Sequence, residues 1–140
     1  MREIIFRGQA FGTREWVYGS LRRREDGGNF IETIDGKHCF PVLEDTIGQY
    51  TGLKDKNGKM IFEGDLVKYT RYKVHSEYIK EDVIEDVYVV YWNEKKHAFY
   101  CTTKFESGGG ASGYLVFHDE RAEKEEIEVI GNIHEQNYAL

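Results

Sequence analysis

The sequence predicts an all-β protein: a meander of short strands followed by an SH3-like, partly open barrel. Three observations carry this expectation. Ten Tyr and eight Phe stand beside a single Pro, and aromatic side chains suit a pleated, half-buried surface. Short extended runs alternate with clusters of Gly, Asn and Asp, residues that tolerate turn geometry. Asn57-Gly58 lies between two apolar runs, the strongest short hairpin signal a sequence offers.

The elements follow in order. Residues 4–6 read as a first strand, broken by Gly8 and Gly12, and residues 15–21 as a second. Residues 26–29 form a turn, residues 30–34 a third strand, and Asp35-Gly36 a two-residue hairpin of the type I′ kind. Residues 37–42 return, with Pro41 near the end. Residues 46–53 are extended, residues 54–59 turn, and residues 60–62 and 66–69 are strands. Gly64 between them would supply a φ that other residues do not reach. Residues 73–86 are highly charged and read as a loop or a long exposed hairpin. Residues 87–92 are the most apolar run, and their β-branched content favours a buried strand. Residues 97–103 and 114–118 are strands on either side of a glycine-rich loop at 107–113. Residues 119–128 are mostly charged and suit one or two helical turns. Residues 127–134 close the chain, and Gly131 inside that strand marks a bulge or a close backbone approach.

The weak shift near residues 43–45 divides a meander, 1–45, from the SH3-like part, 46–140, with its charged and glycine-rich insertions. Two packed subdomains and one integrated domain both fit. At 140 residues the chain buries roughly 70% of its unfolded surface, enough for a core without metal or disulfides. Its 40% hydrophobic and 31% charged residues argue against wholesale disorder.

The net charge of -6 opposes nucleic-acid binding, which needs local positive charge, although a basic patch on an acidic protein stays open. Arg22-Arg23-Arg24 is followed at once by Glu25-Asp26 and reads as a solvated hairpin tip. Cys39 and Cys101 are too few for a disulfide framework. No stretch has signal-peptide or membrane-spanning character. The expected setting is therefore a reducing cytoplasm.

The sequence predicts no catalytic residue, no cofactor and no metal. His38 and Cys39 are adjacent, so on a strand they point to opposite faces. His97 and Cys101 share a face but are four residues apart, and no pair has zinc-site spacing. No Gly-x-Ser-x-Gly elbow exists, and Cys101 reads as a small core hydrophobe. Gly108-Gly109-Gly110 lacks the Gly-Lys-Ser/Thr of a phosphate loop. The candidate interaction surface is Tyr72, Tyr78 and Tyr88, which accompany Arg71, Lys73 and Lys80. Stacked bases use such a mixture, but Glu77, Glu81, Asp82, Glu85 and Asp86 in the same stretch repel phosphates. A hairpin or subunit contact is the favoured reading.

Four stretches taken together resemble the YopX family of phage and prophage proteins: residues 2–7, 16–21, 46–67 and 128–135. The run Gly48-Gln49-Tyr50-Thr51-Gly52-Leu53-Lys54-Asp55-Lys56-Asn57-Gly58 is the most specific. The family often has an aromatic where this chain has Gly8-Gln9, and ends Gly-Asn-Ile-Tyr-Glu-Asn-Pro where this chain has His134 and Gln136. The motif positions Trp16, Gly19, Gly48, Tyr50, Gly52, Asn57, Gly58, Gly64, Asp65, Gly131 and Asn132 read as turning and packing residues. The resemblance implies an all-β fold with an SH3-like part, carriage on a mobile element and possible oligomers, and no known activity. The leading expectation is a non-enzymatic accessory protein acting through contacts with host or phage proteins or with itself. A nucleic-acid-associated module, or a small enzyme on a nucleotide or cell-wall fragment, are the alternatives.

Overall fold

The computed structural model describes residues 3–75, 77, 82–103, 112–114 and 121–135. The described strands are β1 (Phe6–Gln9), β2 (Trp16–Arg23), β3 (Asn29–Thr33), β4 (Cys39–Pro41), β5 (Gly48–Lys54), β6 (Met60–Phe62), β7 (Asp65–Tyr72), β8 (Val83–Asn93), β9 (Ala98–Thr103), β10 (Ser112–Tyr114) and β11 (Lys124–Asn132). A 3-10 turn, Glu44–Thr46, is the one helical element among the described residues. The fold is all-β, with two antiparallel sheets that close no barrel. No described helix is long and apolar enough to cross a membrane.

The chain divides into two compact units after Leu53. The first holds strands in the order β4-β3-β2-β1-β5. β5 belongs to it because Gln49 and Gly48 pair with Phe6 and Arg7 of β1. Register sets Leu21, Ile31 and Phe40 in one row, and Ile31 and Val42 are buried there. Gly8, expected to break the first strand, lies inside β1 instead. A Cβ on Gly8 would meet Val42 Cβ at 3.1 Å and Ile31 Cδ1 at 3.2 Å, so its bare backbone is what those side chains pack on.

The turn at Asp35-Gly36 also departs from expectation. A type I′ turn needs φ > 0 at both central residues, and here Gly36 alone has it, at φ 72°. The loop is longer: Thr33 N–H donates to His38 O at 2.9 Å. Asp35 is the cause, because its carboxylate accepts from Thr33 Oγ1 at 2.5 Å and from Lys37 N at 3.0 Å. A carboxylate that organises backbone donors competes with the tighter turn.

The second unit holds a five-stranded sheet in the order β10-β9-β8-β7-β11. Its core is Ile61, Val67, Val90, Cys101 and Val129, with Tyr88, Phe99 and Ile127 packed against it. The apolar run at 87–92 is a strand within β8, but of its residues Val90 alone is buried and Trp92 is exposed, because alternate side chains face away from the core. β7 and β8 form a long hairpin in register from Leu66↔Val89 to Tyr72↔Val83. Within it residues 76 and 78–81 lie outside the described residues, as do 104–111 of the glycine-rich loop and 115–118 of the expected strand. The helical turns expected at 119–128 give way to β11, which begins at Lys124. The reason is pairing: β7 aligns Ile127 with Tyr69 and Val129 with Val67, so alternate residues reach the core. The register shifts between Val129 and Gly131, which is the expected bulge.

Gly19 illustrates how tightly β2 and β3 approach. A Cβ there would fall 1.8 Å from Glu32 O, a backbone atom that cannot swing aside. Gly19→Ala is expected to destabilise by about 3 kcal/mol or more. Gly27→Ala, with open space around it but φ 92°, should cost roughly 1 kcal/mol. Urea denaturation of the two variants checks the order.

Candidate functional site

The most specific sequence run folds into a turn organised by Asp55. Gly58 N–H donates to Asp55 O at 3.0 Å and Asp55 N–H to Lys59 O at 2.8 Å. Gly58 alone of the turn residues has φ > 0, at 79°, so this is a type I turn with a following bulge. Asp55 Oδ1 accepts from Asn57 N and Lys59 N, each at 2.9 Å. Asp55 Oδ2 reaches across to Val129 N–H at 2.9 Å. Lys56 N–H donates to Ile127 O at 2.8 Å, and its ammonium lies 3.0 Å from Glu128 and 3.4 Å from Glu126. Burial raises the Asp55 pKa, but the backbone donors of Val129, Lys59 and Asn57, with the Lys59 charge, outweigh it and hold it below the ordinary 3.8.

A second group of motif residues meets at the other end of β11. Gly64, at φ 88°, donates its N–H to Val90 O at 2.8 Å and accepts from Ile133 N–H at 2.9 Å. Asp65 is 1% exposed, and its Oδ2 accepts from Phe62 N–H at 2.8 Å. Asn132 pairs with Asp65, accepts from His134 N–H and donates Nδ2 to Glu135 Oε1 at 3.0 Å. Gly131 makes room for that carboxylate, since a Cβ would meet Glu135 Oε2 at 2.9 Å.

In the first unit Trp16 begins β2 beneath the Arg7 guanidinium, 4.5 Å from its ring centroid. Gly48 faces Arg7 across the ladder. Tyr50 is buried in β5 and donates its N–H to Ile5 O. Gly52 takes φ 89° within β5. The motif residues are thus turn-formers and ladder partners.

The three tyrosines do not form one surface. Tyr78 lies outside the described residues. Tyr72 faces Val83, whereas Tyr88 faces Val67, and an odd separation along β7 puts Tyr72 and Tyr88 on opposite faces. Tyr88 joins a row that grades from the core into polar groups. Its ring lies 6.5 Å from that of Tyr69, whose hydroxyl donates to Glu125. Arg71 lies 5.4 Å from the Tyr69 ring and 3.1 Å from Asp86. Burial and then Asp86 raise the Tyr88 pKa against the opposing pull of Arg71.

On the other face Tyr72 donates to Glu126 at 3.2 Å, and Lys124 sits 5.5 Å from its ring. Tyr72 also lines a cavity of about 350 Å³ with Lys73, Val74, His75, Asp82 and Val83. Its basic side chains are engaged: Glu123 lies 3.0 Å from His75 and 3.7 Å from Lys73. Arg22 bonds Glu32, Arg23 lies 3.8 Å from Glu44, and Arg24 covers the Phe30 ring at 4.2 Å. These pairings give the charged runs a structural reading.

Cys101 packs in the core, and burial raises its thiol to about 11, so it stays protonated at neutral pH. Cys39 is exposed on β4. Among the described residues no three His, Cys, Asp or Glu side chains gather to hold a metal. The role of Asp55 was open to sequence reasoning in part, because Asp before Lys-Asn-Gly favours side-chain turns. Its bond to Val129, 74 residues on, carries no local signal.

A family model described as YopX protein matches residues 6–140. A search of curated proteins finds no match. Among solved structures, the crystal structure of protein EF1440 from Enterococcus faecalis is 18% identical, with a TM-score of 0.43, and the alignment covers 96% of this chain and 95% of that one.

Asp55 yields a pH prediction. Its depressed pKa means that its stabilisation is complete above the ordinary 3.8 and is lost as pH falls through the lower folded value. Asp55→Ala leaves three backbone donors without this acceptor and should cost about 3 kcal/mol at pH 7. The gap from the unaltered chain should narrow below about pH 4. Urea midpoints at pH 7 and pH 3 check it; an equal gap at both values would contradict the assignment.

Proposed function

The chain belongs to the YopX family, and from that premise we propose a non-enzymatic phage or prophage accessory protein that works in the bacterial cytoplasm through protein–protein contacts, self-association included. One contrast carries the reading. The buried motif groups Asp55, Asp65 and Asn132 bond backbone N–H groups, while large apolar side chains stand in solvent. Phe11 is 60% and Ile34 70% exposed in the first unit. Such groups are free to be covered by a partner.

Charge supports contacts with protein over contacts with nucleic acid. The net charge is -6, and Lys73, His75 and Lys124 near Tyr72, with Arg71 on the opposite face, each face a carboxylate. A phosphate would have to displace those carboxylates.

The test combines light scattering over a concentration range with capture of host and phage proteins. Phe11→Ser with Ile34→Ser should reduce the association or capture of the unaltered chain at least severalfold. Thermal stability should stay nearly unchanged, since exposed substitutions usually shift it by less than about 0.5 kcal/mol. Retention on DNA at low salt that falls steeply with added salt would sink the proposal, as would a strict monomer that captures nothing.

A further inference from the structure

The last strand of the second sheet is β11, and an edge strand offers unpaired N–H and C=O groups to any other strand. Here the Asp55–Gly58 turn occupies part of that edge. Lys56 N–H takes Ile127 O, and Asp55 Oδ2 takes Val129 N–H. The turn adds a counter-charge, because the Lys56 ammonium lies against Glu126 and Glu128. It therefore supplies what a neighbouring strand would supply: an acceptor, a donor and a matching charge.

We propose that this turn is an edge guard, and that the edge of β11 it covers is a latent pairing surface for β11 of a second copy of the chain. The occupant follows from the charge order along β11, Lys124-Glu125-Glu126-Ile127-Glu128. An antiparallel register centred on Glu126 sets Lys124 of each copy opposite Glu128 of the other. Opposite charges facing each other across strands attract. The two attractive pairs flank a single like pair, Glu126 against Glu126, on the two-fold axis. The same register places Ile127, whose carbonyl the turn now holds, opposite Glu125. Such a contact is isologous and closes at two copies. While the turn is seated, Glu128 and the Ile127 carbonyl are taken, and the edge stays shut. The guard is independent of whichever partner the exposed apolar groups bind, because it involves none of them.

Two variants lift the guard by different routes. Lys56 is the second residue of a type I turn, the position that favours Pro. Lys56→Pro therefore keeps the turn while removing the N–H to Ile127 and the ammonium. Asp55→Asn keeps one acceptor oxygen for the turn and turns an amide toward Val129. Circular dichroism reports folding and multi-angle light scattering the mass. In a Cys39→Ser background, Glu126→Cys reads the register. Residues on the axis form a non-hydrogen-bonded pair, with Cα atoms about 4.5 Å apart, close enough for a disulfide under air oxidation.

The expected result is a twofold rise in mass over the unaltered chain for both variants. Cross-linking through Glu126→Cys should appear with the guard lifted and be absent with it seated. Folded variants of unchanged mass would overturn the proposal, as would a doubled mass without that cross-link. Loss of the folded signal in both variants would overturn it too, since a guard lifts without unfolding the sheet behind it.

Discussion

The carboxylate of Asp55 ties its own turn to β11 across 74 residues of sequence. It closes its own turn through Asn57 and Lys59, and with its other oxygen takes the amide of Val129. Val129 and Ile127 face the same core as Ile61, Val67, Val90 and Cys101. The turn thus fastens the outer edge of β11, while pairing with β7 sets which residues of the strand are buried. A carboxylate suits this task because it accepts several backbone N–H bonds at once, and charge-assisted bonds are stronger than neutral ones. The same bonds repay its desolvation, which an unpaired buried charge could not do.

The Gly64-Asp65 turn repeats the device at the far end of β11. Asp65 organises Phe62, Gly64 bridges to Val90 and Ile133, and Asn132 locks the residues that follow. Between these two anchors β11 bulges after Val129, which re-aims the strand so that Asn132 still meets Asp65. The motif residues of this unit, scattered through the sequence, are in space the two fastenings of one strand.

The sheet of this unit separates its two faces by chemistry. One grades from Val67 and Val129 through Tyr69 and Tyr88 to Arg71, Asp86 and Glu125, an apolar core with a polar hem. The other carries Tyr72 with Lys56, Lys124, Glu126 and Glu128 as an ion-pair ladder. Exposed pairs of this kind add about 0–1 kcal/mol each, so their effect lies in charge balance and pairing preference more than in stability.

Much of this was legible in the sequence because it is local. Tyr, Phe and β-branched runs specify strands by side-chain shape, and Gly58, Gly64 and Gly131 mark a turn, a corner and a bulge. Where a distant partner decides, local reading failed. Gly8 reads as a break, yet Ile31 and Val42 require its missing Cβ. The charged run at 124–128 reads as a helix, yet pairing with β7 makes it a strand. Tyr72 and Tyr88 read as one surface, yet register sets them on opposite faces. By itself the sequence determined the fold class, where the chain turns and the family, since each depends on short runs of residue types. Tertiary structure alone decided that Asp55 fastens Val129 and that the turn covers a sheet edge. The Asp55–Val129 bond joins groups 74 residues apart, and no local propensity encodes a partner at that distance.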